Sequence, residues 1–213
     1  MNISKFIDHT ILKPEATESD IKRLVKEAME FEFWACCVNQ CWIRLVAEEI
    51  KGTGIKVCSV VGFPLGAAVN KAEESAKCVE LGADELDMVM NIGFLKSGRF
   101  QEVAADICQV VKAANGRVVK VILETGVLTN EEKLLACRLV QDSGANFVKT
   151  STGFGIGGAT IEDVKLMRRA VGPTFGVKAS GGIRTYKQVV KLIEAGASRI
   201  GTSAGVQIVK QSP

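Results

Sequence analysis

The sequence predicts an α/β fold, a single (β/α)8 TIM barrel over residues 1–213. Short strand-like runs alternate with amphipathic helical segments along the whole chain, at intervals of about 23 to 33 residues, the length of a strand, a helix and two tight loops. Eight such runs are present and no Pro/Ser-rich linker divides them, so one domain is expected. An open doubly wound sheet is the alternative, but it usually has five or six strands and a nucleotide-type loop after the first strand.

The eight predicted strands are short runs rich in apolar and β-branched residues. The first of them is the shortest. In chain order they are HTIL (9–12), WACCV (34–38), KVCSVVGF (56–63), ELDMVM (85–90), VVKVIL (118–123), FVKTS (147–151), GVKAS (176–180) and RIGTS (199–203).

The helical segments between the strands show two regularities. Apolar residues recur at helical spacing in DIKRLVKEAMEF (20–31) and TIEDVKLMRRAV (160–171), which predicts helices with one buried face. Three segments end in the same way, at LGAD (81–84), SGAN (143–146) and AGAS (195–198). In each, the glycine can adopt the left-handed conformation that terminates a helix before the next strand.

Composition and charge exclude several classes of protein. The 27 Lys and Arg against 24 Asp and Glu give a formal net charge of +3, and no basic stripe is interleaved with aromatics, which argues against nucleic acid as a partner. No apolar stretch approaches the ~18 residues of a membrane span, and the first residues lack a secretory pattern, so we expect a cytoplasmic protein with no membrane partner. The seven cysteines fit reduced thiols. C-x-x-C spacing is absent and His9 is the only histidine, so we expect no metal site.

Three lysines occupy positions that normally hold apolar residues. Lys120, Lys149 and Lys178 are spaced 29 residues apart, and each lies within a predicted buried strand. An unpaired ammonium in such a place costs several kcal/mol or loses its proton. A neutral lysine attacks carbonyl groups to form an imine, so these amines are candidate nucleophiles.

The alternation of side chains along strands predicts that the three lysines share one interior. If Lys149 points into the barrel, the same parity places Asp87, Lys120 and Lys178 inward on three further strands. Two like charges ~4 Å apart at an effective dielectric near 20 repel by ~4 kcal/mol, which predicts a lysine pKa lowered toward ~7. Asp87 could offset part of this repulsion and carry protons. Alternatively, the lysines are ordinary ion-pair members that extend out of the barrel.

Glycine-rich segments near the end of the chain predict a phosphate site. Three glycine-rich segments overlap or follow the ends of the last three predicted strands. They are STGFGIGG (151–158), ASGGIRT (179–185) and RIGTSAG (199–205). Barrels commonly bind phosphate on backbone amides of the loops after strands seven and eight. The candidate residues in those loops are Gly181, Gly182, Gly201 and Ser203.

Four other residues have two interpretations each. Asp8 either faces the barrel mouth or caps a turn, and Cys37 points inward or outward depending on the register of its strand. Arg184 either adds charge to the phosphate site or is a solvated loop residue. His9 is more typical of a structural histidine than of a catalyst.

Seven motifs together resemble deoxyribose-phosphate aldolase, in order and over nearly the whole chain. The glycine-flanked KTSTG within the sixth strand and its loop is the most diagnostic of them. The motifs are IDHTILKP (7–14), VGFPLG (61–66), GADELDMV (82–89), VKVILETG (119–126), FVKTSTG (147–153), VKASGGIRT (177–185) and RIGTS (199–203).

This resemblance implies a class I aldolase, which needs neither metal nor cofactor. The family reversibly cleaves 2-deoxy-D-ribose 5-phosphate, a small phosphorylated sugar, to D-glyceraldehyde 3-phosphate and acetaldehyde. Lys149 resembles the lysine that forms the imine, Lys178 the neighbour that lowers its pKa, and Asp87 the acid that transfers protons. Lys120 and Asp8 resemble supporting members of the polar network. The residues that resemble substrate and phosphate contacts are Thr152, Gly153, Gly181, Gly182, Gly201 and Ser203.

The chain departs from some family members at two places. Phe154 follows STG where some members have a basic residue, and the only tyrosine, Tyr186, is not at the terminus where some members have one that reaches the site. A phosphosugar isomerase or epimerase barrel, or a barrel that binds a phosphometabolite without turnover, are the alternative functions. Barrels of this size often pair through their outer helices, so we expect a homo-oligomer, dimer or tetramer.

Overall fold

The computed structural model describes residues 2–212 and shows a closed barrel of eight parallel strands, in the order β1 to β8, with β8 hydrogen-bonded to β1. The predicted TIM barrel is therefore confirmed. The strands are β1 (Ile7–Ile11), β2 (Ala35–Val38), β3 (Lys56–Val61), β4 (Glu85–Val89), β5 (Val118–Ile122), β6 (Phe147–Lys149), β7 (Gly176–Ser180) and β8 (Arg199–Thr202).

Helices connect the strands and cover the outside of the barrel. All eight predicted strands are present. β1 begins two residues before HTIL, which places Asp8 inside it, and β3 and β6 each end two residues before the predicted runs end. The helices are α1 (Glu18–Glu30), α2 (Ile43–Glu49), α3 (Lys71–Leu81), α4 (Ile92–Lys96), α5 (Phe100–Ala113), α6 (Asn130–Asp142), α7 (Ile161–Val171), α8 (Tyr186–Glu194) and α9 (Gly205–Val209).

Local sequence signals determine where several helices begin and end. Thr17 and Thr129 each form a capping box, in which the threonine hydroxyl accepts from the third residue of the helix and that residue's carboxylate accepts from the threonine amide. Gly82, Gly144 and Gly196 have φ values of 110°, 80° and 112°, the left-handed conformation predicted for the three repeated helix ends. These caps turn the chain directly into the next strand.

The strands separate a large apolar core on the outside of the barrel from an interior that is partly apolar and partly charged. Outward-facing residues of the strands pack with the helices in one large core, which includes Leu86, Val119 and Val177. A small separate cluster on the inside, which includes Cys37 and Cys58, lies on the side of β1 to β3. Cys37 thus points inward, as one of its two interpretations predicted. The rest of the interior, toward β4 to β8, is available for charged side chains.

Among residues 2–212, no helix is long and apolar enough to cross a membrane.

Candidate active site

Seven charged side chains meet inside the barrel, and none is more than 6% exposed. The strands that carry them are β1, β4, β5, β6, β7 and β8. We call this set the ionic cluster. Its members are Asp8, Glu85, Asp87, Lys120, Lys149, Lys178 and Arg199.

Asp87 is the centre of the ionic cluster. Its Oδ2 accepts hydrogen bonds from both Lys149 and Lys178, each at 2.7 Å, and its Oδ1 accepts from Lys120 at 2.9 Å. Because Lys149 and Lys178 share one oxygen, their amine nitrogens are at most 5.4 Å apart, twice the 2.7 Å bond length. The predicted convergence of Asp87 with three lysines on successive strands is confirmed.

Asp8 and Glu85 complete the pairing of the cations. Asp8 contacts Lys178, and its other oxygen accepts from Arg199 at 3.0 Å. Glu85 lies 2.6 Å from Lys120 and accepts from Arg199 at 2.9 Å. Asp8 is therefore a fully buried member of the cluster inside the barrel, below the cavity at the mouth, and its side chain caps no turn in the described part of the chain. The lysines are ion-paired as the alternative interpretation required, but they lie inside the barrel rather than extending out of it.

These carboxylates outweigh the effects of burial and crowding on the pKa values of two lysines. Burial lowers the pKa of Lys178, but the attraction of Asp8 and Asp87 outweighs it and raises the pKa above its ordinary value. The same opposition occurs at Lys120. Burial lowers its pKa, but the attraction of acids, of which Asp87 contributes most, holds the pKa well above its ordinary value. The lowering that crowding predicts for one lysine of the group therefore does not occur at Lys120 or Lys178. The sequence argument included Asp87 but not Asp8 and Glu85, which add further negative charge beside these two amines.

The same attraction keeps Asp87 ionised. Burial alone would raise the pKa of this carboxyl, but Lys120, Lys149 and Lys178 together hold it well below its usual range. Asp87 is therefore a carboxylate at neutral pH, able to accept a proton and to hold two amines in fixed positions.

Lys149 differs from the other lysines in its surroundings. Asp87 is the only carboxylate within 4 Å of its amine among the described residues, whereas Lys120 has three such neighbours and Lys178 has two. It is also the one lysine of the cluster that lines the cavity above, at the carboxyl ends of the strands. A carbonyl compound entering from the solvent would meet this amine first.

The cavity has a volume of about 390 Å³ and lies between the loops that follow β1, β6, β7 and β8. Its walls combine glycine backbone with the side chains of Lys13, Phe154 and Arg184. All six residues predicted to contact substrate or phosphate line it. They are Thr152, Gly153, Gly181, Gly182, Gly201 and Ser203.

Two glycines of the cavity have a clear steric requirement. Gly181 has φ of 93°, and a Cβ there would lie 3.1 Å from the Cα of Gly158 on the neighbouring loop. A Cβ at Gly201 would lie 3.0 Å from the Cε of Lys178. Glycine at these positions lets the loops approach one another and leaves room for the lysine.

The hydroxyl of Thr152 is occupied within its own loop. It donates to the buried carboxylate of Glu124 and accepts from the amides of Phe154 at 3.0 Å and Gly155 at 3.3 Å. Its side chain therefore shapes the loop after β6. Glu124 is a residue to which our sequence reasoning assigned no role.

Arg199, like Glu85, is a member of the ionic cluster to which the sequence analysis assigned no role. The motif RIGTS indicated a strand and a glycine loop, and its arginine drew no attention. Alternation along β8 could have found it, because Arg199 is two residues before Gly201 and so faces the same interior.

His9 lies on the opposite face of β1 from Asp8. Its Nε2 is 2.6 Å from Glu27 of α1, and its ring packs against Phe33. His9 is thus a structural residue between the barrel and α1, as the sequence indicated.

Within residues 2–212, three acids of the ionic cluster and two neighbouring cysteines are the groups whose ligand atoms lie close enough together to hold a metal ion. Cys37, Cys58 and Asp87 have ligand atoms within 4.8 Å of one another, as do Asp8, Cys58 and Glu85. Every carboxylate in these sets already has an ammonium or guanidinium partner, so a divalent cation would have to displace a buried cation. The donor set therefore fits lysine chemistry better than metal chemistry.

Comparison with known proteins gives a consistent result. Residues 3–212 match the family model described as DeoC/LacD family aldolase. Deoxyribose-phosphate aldolase of Streptococcus sanguinis (strain SK36) is 57% identical over 212 residues, which cover 99% of this chain and 96% of that protein. The tetrameric deoxyribose phosphate aldolase from Aeropyrum pernix has a similar solved structure, with a TM-score of 0.91 and 36% identity, covering 98% of this chain and 89% of that one.

Proposed function

Because the chain belongs to the DeoC/LacD aldolase family, we propose that it reversibly cleaves 2-deoxy-D-ribose 5-phosphate to D-glyceraldehyde 3-phosphate and acetaldehyde. It is a carbon–carbon lyase of the Schiff-base class. The observation that carries the proposal is the amine of Lys149, held by Asp87 at the base of a glycine-walled cavity. An amine in that position can reach a carbonyl group while the loops above bind a phosphate.

The reaction begins with attack of neutral Lys149 on the C1 aldehyde of the open-chain sugar. The carbinolamine loses water to give an iminium ion, with a proton supplied from the cluster. Removal of the proton from the C3 hydroxyl then breaks the C2–C3 bond, and the electron pair flows to the iminium nitrogen. Glyceraldehyde 3-phosphate leaves, and an enamine remains on Lys149. Protonation at C2 and hydrolysis release acetaldehyde and restore the amine.

We assign the proton transfers to the groups that surround Lys149. Asp87, ionised and within 2.7 Å of the amine, accepts and returns protons. Lys178 stays cationic and shares an oxygen of Asp87 with Lys149, so its charge favours the neutral form of its neighbour. Lys120 and Asp8 hold these two groups in place. Water or these cluster groups are proposed to protonate the enamine.

The phosphate is proposed to bind at the loops after β7 and β8. Backbone amides near Gly181, Gly182 and Gly201 can approach an anion closely because these residues have no side chain. Lys13 and Arg184, which also line the cavity, add positive charge. Phe154 adds no charge to this site, and its ring packs edge-on against that of Phe63, with the ring centroids 5.4 Å apart.

Trapping of the imine tests the proposed function directly. We expect borohydride, added with deoxyribose 5-phosphate, to leave a stable secondary amine on Lys149, located by mass spectrometry of the peptide. Unphosphorylated deoxyribose at the same concentration should label less, because it lacks the anion that the cavity binds. An isomerase or epimerase that uses carboxylates, or a barrel that only binds a metabolite, would give no adduct. Labelling at Lys178 instead would contradict our assignment of the nucleophile.

We also propose that the chain forms a homo-oligomer, either a dimer or a tetramer. The support is a relative from Aeropyrum pernix whose structure is described as tetrameric. Sedimentation equilibrium should give two or four times the mass of the 22.8 kDa chain. A single species at the mass of one chain would contradict this. The cytoplasmic location stays a prediction.

A further inference from the structure

Arg199 is a buried charge that the reaction scheme leaves without a role. It is the first residue of β8, at the amino-terminal end of the barrel, away from the cavity. Its guanidinium bridges Asp8 at 3.0 Å and Glu85 at 2.9 Å, and it stacks over the ring of Trp34 at 4.4 Å. Trp34 in turn donates to Glu85 at 2.8 Å, so the arginine is held in one position.

The ionic cluster has one more cation than it has anions. Lys120, Lys149, Lys178 and Arg199 carry four positive charges, and Asp8, Glu85 and Asp87 carry three negative ones. Loss of one lysine proton would make the cluster neutral. Without Arg199, the three lysines would already balance the three acids, and loss of a proton would leave a net buried negative charge. An uncompensated buried charge is costly, so loss of a lysine proton is much less favourable without Arg199 than with it.

Other titratable groups face the cluster from the remaining elements. Cys37 on β2 and Cys58 on β3 point into it. The hydrogen bond with Cys58 lowers the pKa of Cys37, while burial raises the pKa of Cys58 well above its ordinary value. Lys56, the first residue of β3, is half-buried and lies two residues before Cys58, so it is on the same face of the strand. Lys13 and Arg184 line the cavity on the solvent side. These groups are the same in every variant discussed below, so differences between variants report the cluster itself.

We propose that Arg199 is a positioning residue whose charge, carried through Asp8 and Glu85, sets the pH at which the cluster releases the proton of its reactive lysine. This inference rests on the proposed function, because imine formation needs a neutral amine at Lys149. Arginine suits the task since it does not lose its own proton. Its effect reaches the lysines through two acids that each contact a lysine as well as the guanidinium.

The proposal predicts opposite effects from two substitutions at one ion pair. Arg199→Gln removes the extra positive charge, so the acid limb of the pH profile of kcat/KM should move to higher pH, by about one unit. Glu85→Gln leaves two extra positive charges, so the limb should move to lower pH by a similar amount. The double variant has the same net charge as the wild type, and its limb should return close to the wild-type position. A shift of one unit is a tenfold change in kcat/KM on that limb.

A role limited to stability would give a different pattern. Both single variants would then lose activity at all pH values, with the acid limb unmoved or moved in the same direction, and either result would overturn the proposal. If Arg199→Gln does not fold, the Glu85→Gln variant and the double variant still test the proposal. It requires the acid limbs of their kcat/KM profiles to differ by about one pH unit.

A readout without turnover separates this inference from the proposed function. The rate of Lys149 acetylation by acetic anhydride, followed by mass spectrometry against pH, depends on the neutral amine and not on any substrate. Its profile should shift in the two single variants in the directions given above. Failure of the wild type to cleave deoxyribose 5-phosphate would contradict the proposed function, while unshifted acetylation profiles would contradict the role of Arg199.

Discussion

Replacing Lys149 with arginine or alanine should reduce kcat for cleavage of deoxyribose 5-phosphate by roughly 10⁴-fold or more, as removal of a covalent nucleophile does in other enzymes. Arginine keeps a positive charge near Asp87, but its guanidinium stays protonated and cannot form an imine. Alanine removes the amine altogether. Neither variant should give an adduct with borohydride, while both should retain measurable affinity for the sugar phosphate in equilibrium binding experiments, because the cavity loops are unchanged.

A matched control is available outside the barrel interior. Lys133 on α6 pairs with Asp163 on α7 at 2.6 Å and is also largely buried, but it is not among the residues that line the cavity. Lys133→Arg should retain near-wild-type kcat and the borohydride adduct. Cleavage by Lys149→Arg at more than about one hundredth of the wild-type rate would mean that another lysine forms the imine.

Replacing Asp87 with asparagine should give the second large effect, on both stability and rate. The substitution keeps the shape of the side chain but removes the one charge that contacts all three lysines of the cluster. Removing one partner of a buried ionic network costs roughly 3–5 kcal/mol, so the free energy of unfolding in urea should fall by about that amount at pH 7. kcat should fall by at least about 10²-fold, since the proton acceptor nearest Lys149 is lost.

The pH dependence identifies the cause of this loss. The pKa of Asp87 is held below its unfolded value, so its contribution to stability is complete above the unfolded pKa near ~3.9 and is lost only as pH falls through the folded pKa. At pH 7 the contribution is therefore fully present in the wild type. In Asp87→Asn the lysines lack a counter-charge, so loss of their protons at high pH relieves the repulsion between them. The difference in free energy of unfolding between variant and wild type should therefore be smaller at pH 10 than at pH 7.

Asp163→Asn is the matched control for Asp87→Asn. It also removes an acid from a lysine pair, but the side chain of Lys133 is 12% exposed, so its amine can turn to solvent when the acid is lost. We expect a smaller loss of the free energy of unfolding than in Asp87→Asn, and an unchanged kcat. An equal loss of stability in both variants would show that the network around Asp87 has no special energetic role.

Sequence alone determined the elements of this protein and the inward face of most of them. The eight strands, the three glycine helix ends and the convergence of Lys120, Lys149 and Lys178 follow from short-range signals. Strand parity has a period of two residues, and a glycine cap depends on its own φ, so neither needs information from distant parts of the chain. The loops that wall the cavity follow the strands directly and were predicted for the same reason.

Only the tertiary structure decided the electrostatics of the interior. Asp8 on β1 contacts Lys178 and Arg199 because the barrel closes between its first and last strands, which brings together residues 191 positions apart. This closure places Asp8 beside Lys178, and the pKa of Lys178 is therefore above its ordinary value, which the spacing of the lysines alone could not reveal. A pKa depends on every charge within a few ångströms, and the sequence does not record which distant residues share that space.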